Sequence, residues 1–403
     1  MYILTDRGKL KNMITLDQAF EIAYSKVRVT DIETIDFMQS IGRILAEDVF
    51  ADADMPPFNK SAMDGYACRS TDLGLELSVV EVIPAGYSPT QKIQAGQCSK
   101  IMTGAQVPEG ADTVFMVEHS VETAHGKVRF TGSATNSNIC RKGEDLKKGD
   151  LVLSAGTCIK PQHIAMLAAV GCTSPKVHAN PRIGIISTGS ELVNPEIKPG
   201  ISQIRNSNGP QLAAQASVHG FPVNYYGIVP DDKQLTTELI QKSVEESDVT
   251  VLSGGVSVGD FDFVPEIIRE LGFEIHFNKI SIKPGQHTTF ASKGNKYIIG
   301  LPGNPVSSFI QFEVFVLPFL RRLTNYNLPE IRLLLPMAHD FIRKKTDREE
   351  CLPVLLTSEN EVRMVEYHGS AHIHAYNDAF GYISVQAGKT EIKKGEQVYV
   401  RPL

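Results

Sequence analysis

No run of about 18 apolar residues occurs in the 403-residue chain, which leaves no candidate for a membrane-spanning helix. Cysteine is sparse. The six thiols, at positions 68, 98, 140, 158, 172 and 351, form no C-x-x-C pair and no short paired spacing. That pattern argues against a disulfide framework and fits reduced, structural thiols in a cytoplasmic protein. Basic residues are in deficit, with a net charge of −6, so there is no general basic footprint and nucleic acid is not an expected partner. Any anion site must then be a local basic pocket. The polar stretch Met1 to Met13 holds Asp6, Arg7, Lys9 and Lys11 and lacks the apolar core of a signal peptide; it reads as a loose tail. What remains is ordinary globular composition, 42% hydrophobic and 21% charged, in a chain long enough for about two to four domains.

Thr15-Leu16-Asp17-Gln18 fits a capping box, followed by Ala19, Phe20, Ala23 and Val27 at helical spacing, which predicts an amphipathic helix. Residues 51–139 change texture. Short β-type runs broken by Gly and Pro suggest a small β domain there. A helix is expected over 161–170, stopped by Gly171. From 181 to about 326, strand-like and helix-like segments alternate, with helices expected near 209–219, 233–246, 263–271 and 305–323. This alternation predicts right-handed βαβ units and a doubly wound parallel sheet. Beyond Pro329 short β-runs and turn glycines suggest a small barrel or sandwich reaching Leu403.

Three glycine-bearing loops follow strand-like runs of the alternating region. They are Ser187-Thr188-Gly189, Ser253-Gly254-Gly255 and Leu301-Pro302-Gly303-Asn304-Pro305. In a parallel sheet all three converge at the carboxyl edge, where open α/β folds bind ligands. Hydroxyls, glycine amides and a helix start gathered there suit phosphate or another oxyanion. Asn304 is a good N-cap and Pro305 suits the first helical position, so the free amides with the Ser307 hydroxyl could face that edge; a well-capped helix and nothing more is the alternative. The run from Ser253 to Asp260 matches neither a Walker loop nor G-x-G-x-x-G. Lys279 and Lys283, four apart in an extended segment, would point to one side and could hold a doubly charged anion; a solvated edge strand reads equally well.

Carboxylates are scattered: Asp64 in Ser61–Ala67, Glu144 and Asp145 after Gly143, and Glu191. Asp64 before Gly65 marks a turn or presents a carboxylate on a rigid loop. Magnesium takes few protein carboxylates plus substrate phosphates, which such a scatter around a phosphate pocket would serve. Asp248 opens a strand and reads as structural. His368, His372 and His374 permit a metal, though exposed histidines of a β domain explain them more simply.

These stretches in this order resemble the MoeA family of molybdopterin molybdenumtransferases, related to the E domain of gephyrin. The resemblance is carried by Pro57-Phe58 with Ser61–Ala67, Ile101–Ala105 with 108–112, 141–145, Ser187-Thr188-Gly189 with Glu191-Leu192, Ser207-Asn208, 253–260, Lys283-Pro284-Gly285 and 300–307. It runs from about Ile14 to Leu403. The resemblance implies a split, elongated helical domain (14–50 and 140–180), an inserted β domain (51–139), an α/β molybdopterin-binding domain (181–327) like MogA, and a C-terminal β-barrel (328–403). It also implies a homodimer whose active site lies between subunits, with molybdopterin adenylyltransferase and molybdoenzyme apoproteins as further partners. The implied reaction takes adenylylated molybdopterin and molybdate, uses Mg²⁺ and releases AMP.

By motif, Asp64 is then the acidic residue supporting pyrophosphate cleavage, with Asp145 and Glu191 as catalytic partners and Asp248 and Asp260 on the metal. Lys279, Lys283 and Ser307 would take molybdate or phosphate. Thr103, Ser187, Thr188, Gly189, Ser253, Gly254, Gly255 and Pro302 to Pro305 would line the substrate pocket. The chain departs from the family pattern at Asn59 and Lys60, at Ser190 and Asn206 where the family has Asp, and at Gln286-His287 after Gly285, where Lys-Pro is usual. Fewer charges of both signs are therefore expected at the site, with Lys60 a possible replacement cation. A non-catalytic molybdopterin-binding or scaffold member of the family is the alternative reading.

Overall fold

The computed structural model describes residues 13–256, 263–367 and 369–403. They form two compact units, one comprising the chain up to Thr34, Gly42–Ala46 and Lys176–Leu403, the other Ile35–Ile41 and Glu47–Pro175.

The first unit opens with α1 (Leu16–Ser25), whose capping box closes as the sequence predicts: the Gln18 amide donates to Thr15 Oγ1 and the Thr15 amide to Gln18 Oε1. Strand β1 (Ile183–Thr188) leads to α2 (Asn208–Val218), β2 (Val223–Val229) to α3 (Lys233–Glu246), and β3 (Val249–Ser253) to α4 (Val264–Glu270). Then come β4 (Glu274–Phe277), β5 (Thr289–Lys293) and β6 (Lys296–Leu301), followed by α5 (Pro305–Gln311) and α6 (Leu317–Leu323). The sheet order is β2-β1-β3-β6-β5-β4. The first four strands are parallel; β5 and β4 join antiparallel, so the doubly wound sheet is mixed at one side.

Both faces of the sheet are covered, as a parallel sheet requires. Ile183, Ile185, Val249, Val251 and Ile299 meet α1, α2 and the helices after β6 on one face, while Ile186, Leu252 and Ile298 meet α3 and α4 on the other. Helix α1 thus belongs to the α/β core: Ala19 and Ala23 are fully buried in it. That differs from its expected place in a separate helical segment, because its apolar stripe is satisfied by the C-terminal helices of this unit. The helix expected over 305–323 is also broken. A π-helical turn at Phe312–Val316 separates α5 from α6, and Pro318, which lacks an amide proton, follows directly.

Ile282–Lys283 joins strands from residues 333–402 in a second sheet of this unit, in the order Ile282–Lys283, Glu349–Leu356, Gly381–Val385, Gln397–Pro402, Leu333–Pro336, with Val362–Met364 also paired to Glu349–Leu356, around a core of Leu352, Val354, Ile383 and Val400. The other unit carries a six-stranded sheet between Gly65 and Phe130. Its strand Gly65–Cys68 is buried throughout, with Ala67 on one core and Tyr66 and Cys68 on another. No helix of the described residues is long and apolar enough to cross a membrane.

Candidate functional site

The parallel register aligns Ser187 with Ser253 and Ser253 with Leu301, so the three glycine loops leave the sheet at one edge, as the sequence predicts. They line a cavity of about 770 Å³ with Thr188, Gly189, Ser253, Gly254, Gly255 and Pro302 to Pro305 on its walls. Two glycines are demanded by close approach. Gly254 has φ +93°, and a Cβ there would lie 2.6 Å from the Thr188 carbonyl oxygen; at Gly255, φ +66°, it would lie 2.9 Å from Thr188 Oγ1. The first loop therefore packs on the second with no room for a side chain. The Thr188 hydroxyl is buried without a hydrogen-bond partner among the described residues, packed against Gly254 and Gly255.

Asparagines fasten the loops. Asn208 donates its amide to Ser253 Oγ and to the Gly303 carbonyl, both at 2.7 Å, and so ties the second loop to the third. Asn206 accepts from Ser187 Oγ at 3.1 Å and donates to Tyr225 Oη at 2.8 Å. Ser187 is accordingly buried in the support, 1% exposed, and is not on the wall as expected. The neutral residue at 206 suits this use, since the oxygen takes protons from Ser187 and from the Gly209 amide while the nitrogen serves Tyr225.

The charges at the cavity come partly from residues outside the glycine loops. Glu191 lines it as expected, its carboxylate folded back over Gly189, where a Cβ would lie 2.5 Å from Oε2. Asp231 joins it from the end of β2: its carboxylate accepts from the Ser190 amide at 3.0 Å, and Ser190 Oγ accepts from the Asp231 amide at 2.9 Å. The serine at 190 thus still carries a carboxylate beside it. Val229-Pro230-Asp231-Asp232, a fourth strand end at the same edge, was the signal for it. Arg205 and His287 also line the cavity.

Several expected positions need correction. The Val306 amide at the start of α5 donates to the Ser370 carbonyl at 3.0 Å, and Asn304 Nδ2 donates to Ser370 Oγ. Ser307 is buried at 2% exposure. The helix start is therefore occupied by the chain's own C-terminal segment and is no open anion cradle. The extended run that would align Lys279 with Lys283 is interrupted: Ile280 bridges Ile14, and only Ile282–Lys283 is strand, in the C-terminal sheet. Neither lysine lines the cavity, and Lys283 is ion-paired to Glu350. Asp248, an expected metal partner, stands at the amino end of β3, away from the loops. There it accepts from the Arg182 amide at 2.9 Å and pairs with the Arg182 guanidinium and Lys296. Burial pushes its carboxyl up, but the Arg182 bonds and the Lys296 charge more than offset this and hold it below the usual range. Asp260 and His368 lie outside the described residues.

Within the other unit, Asp64 precedes the strand Gly65–Cys68. A Cβ at Gly65 would lie 2.0 Å from the Phe115 carbonyl oxygen, so glycine there lets the strand seat tightly and fixes the Asp64 loop. Asp64 Oδ1 accepts from Thr103 Oγ1 at 2.7 Å and from the Thr103 amide at 2.6 Å. Those two bonds hold its carboxyl below the ordinary carboxylate range, so it is ionised at neutral pH. Asp145 is exposed beside Glu144 and Lys60 in a separate hollow of about 560 Å³, which Asp64 does not line. Among the described residues, no three His, Cys, Asp or Glu side chains are grouped to hold a metal ion.

A doubly wound sheet with a polar, glycine-walled cavity at its carboxyl edge defines a ligand-binding α/β protein, here joined to a β-rich unit carrying a buttressed carboxylate. Family comparisons are more particular. Residues 14–171 match the MoeA N-terminal region (domain I and II), 184–322 the probable molybdopterin binding domain, and 336–403 the MoeA C-terminal region (domain IV). The chain is 41% identical over 298 residues to the molybdopterin molybdenumtransferase of Staphylococcus epidermidis, covering 72% of this chain and 71% of that one. It is 38% identical over 322 residues to that of Staphylococcus aureus, covering 78% and 76%. The solved structure of the molybdopterin biosynthesis MoeA protein from Pyrococcus horikoshii superposes with a TM-score of 0.83 at 27% identity, covering 97% of this chain and all of that one. The chain belongs to the MoeA family of molybdopterin molybdenumtransferases.

Proposed function

We propose that this protein inserts molybdate into adenylylated molybdopterin and releases AMP, the final step of molybdenum cofactor synthesis. The observation that supports it best is the cavity whose walls are the three glycine loops, held open by Asn206 and Asn208 and large enough for a drug-sized ligand at about 770 Å³. Loop backbones without Cβ atoms admit phosphate oxygens closely. Arg205 supplies positive charge at the cavity, and Lys279 and Lys283, which do not line it, are proposed to receive molybdate beside it.

The acid–base part of the reading rests on Asp64. Ionised and held in place by Thr103, it can orient water during pyrophosphate cleavage, and it does not serve as a general acid. We place it, with Asp145 of the same unit, in a site shared between two copies of the chain, the homodimer implied by the family resemblance. The four-domain division, with α1 placed in the α/β core, and a cytoplasmic setting belong to the same reading. Glu191 and Asp231 are two hard oxygen donors on the cavity wall. Such a pair fits Mg²⁺ held mainly by substrate phosphates, with Asp260 as a further proposed donor. Bound there, the ion would neutralise charge on the pyrophosphate.

The test is incubation of the protein with adenylylated molybdopterin, molybdate and Mg²⁺, followed by assay of AMP and of cofactor able to reconstitute a molybdoenzyme. Both products should appear and depend on molybdate. Ligand binding without AMP release would overturn the enzyme reading and leave a molybdopterin-binding scaffold.

A further inference from the structure

Through one nearly buried carboxylate, the C-terminal sheet holds the start of the turn whose end, His287, lines the candidate cavity. Strand Ile282–Lys283 lies parallel to Glu349–Leu356 with Lys283 in register with Glu350. Glu350, its side chain 8% exposed, is shared by two cations: it pairs with Lys283 Nζ on one side and with Arg343 Nε at 3.1 Å on the other. Arg343 is itself fixed, donating to the carbonyls of Val385, Gln386 and Arg348. The Lys283 side chain remains 42% exposed, so its ammonium has an open side.

The turn that follows Lys283 is clamped by further bonds. Gln311 donates to the Pro284 carbonyl at 3.0 Å and accepts from Thr288 Oγ1 at 3.1 Å. Gly285 has φ +100°, and a Cβ there would lie 2.6 Å from Gln311 Cγ. Arg348, two residues before Glu350, donates to Gln286 Oε1 at 3.2 Å. The end of this turn delivers His287 to the cavity wall. The strand Glu349–Leu356 therefore grips the loop at Lys283, and Arg348 just before it grips the loop again at Gln286.

We propose that Glu350, backed by Arg343, is a positioning residue for the oxyanion subsite: it fixes the Lys283 ammonium and the 283–287 turn in the place where molybdate is received. The inference rests on the reaction proposed above. Removing the carboxylate leaves Arg343 and Lys283 as neighbouring cations without the group between them, and their repulsion moves the lysine and its loop out of place. The effect falls on molybdate more than on the chemical step.

The experiment uses the full-length protein with the substitutions E350Q, K283M and both together. Molybdate is titrated against AMP release at saturating adenylylated molybdopterin, and molybdate binding is measured separately by equilibrium dialysis. E350Q should raise KM for molybdate by about tenfold, the loss of one charge-assisted contact, with kcat within about threefold of the parent. In the K283M background the same substitution should add little, because both act at one point. A lowered KM in E350Q would mean that the carboxylate competes with the anion, and additive effects would mean that it acts elsewhere; either overturns the proposal. So does a fall in kcat and melting temperature with KM unchanged. If E350Q does not fold, K283M decides alone, since an unchanged KM leaves Glu350 nothing to position. If the parent releases no AMP at all, the reaction is refuted, and dialysis still judges Glu350: binding weakened in E350Q supports it, and equal binding overturns it.

Discussion

At the amino end of β3, Asp248 is enclosed by Arg182 and Lys296, and each charge there is answered by another. At the carboxyl end of the same strand, Ser253 is held by a neutral amide, and the carboxylates of Glu191 and Asp231 line an open cavity. One edge of the sheet uses ion pairs to close a surface; the other uses uncharged hydrogen bonds to keep its shape while leaving charge available to a ligand. The position of Asp248 at the start of its strand already reads as structural, and it is the metal role implied by the family resemblance that its ion pairs replace.

The largest effect expected is from Gly254→Ala. The substitution places a methyl 2.6 Å from the Thr188 carbonyl at a positive φ, so the first two loops must part. Activity should fall by at least about a hundredfold, with stability lower by roughly 1–3 kcal/mol, measured by AMP release and chemical denaturation. An active, stable variant would show that the loops are not packed as described. Asn208→Ala removes both ties between the second and third loops, at about 1–3 kcal/mol for the groups left unsatisfied. Its kcat/KM should drop by roughly ten- to a hundredfold while melting stays cooperative.

Thr103→Val sharpens the comparison in the other unit. Without the hydroxyl the Asp64 carboxyl moves up toward its ordinary value, because that bond favours the charged form. The acidic limb of the rate profile should therefore shift to higher pH; a limb that stays in place removes Asp64 from the proton inventory. The smallest catalytic effect belongs to Asp248→Asn at the closed edge. Turnover should stay within about twofold, with stability lower by roughly 1 kcal/mol at neutral pH. Asp248 titrates below the ordinary carboxylate value in the folded protein, so its contribution is present above the unfolded value and is lost as pH falls through the folded one. The variant should lose less stability on acidification than the parent, followed by melting temperature across that range.

The alternating pattern of 181–326 and the three strand-end loops were legible in the sequence because period, caps and glycines are local signals. The capping box at Thr15 was equally plain. What escaped was set by distant partners. Ser370 takes the amide at the start of α5 from 64 residues away in sequence, and no local cue marks it. Ser187 reads as a wall hydroxyl until Asn206 claims it. Lys283 looked like one half of a pair until its strand joined a different sheet. Asp231 sits in no glycine loop, and its place beside Ser190, a departure from the family pattern, is set by the fold.

Helix α1 has a consequence for how the protein is made. Ala19 and Ala23 are buried with Phe315 and Phe319, almost three hundred residues downstream. A ribosome delivers α1 early, yet the helices that cover its apolar stripe leave the tunnel only when the chain is nearly complete. The Glu47–Pro175 portion has all its strands in hand long before that. That portion is therefore able to mature first, while α1 waits with its apolar stripe uncovered.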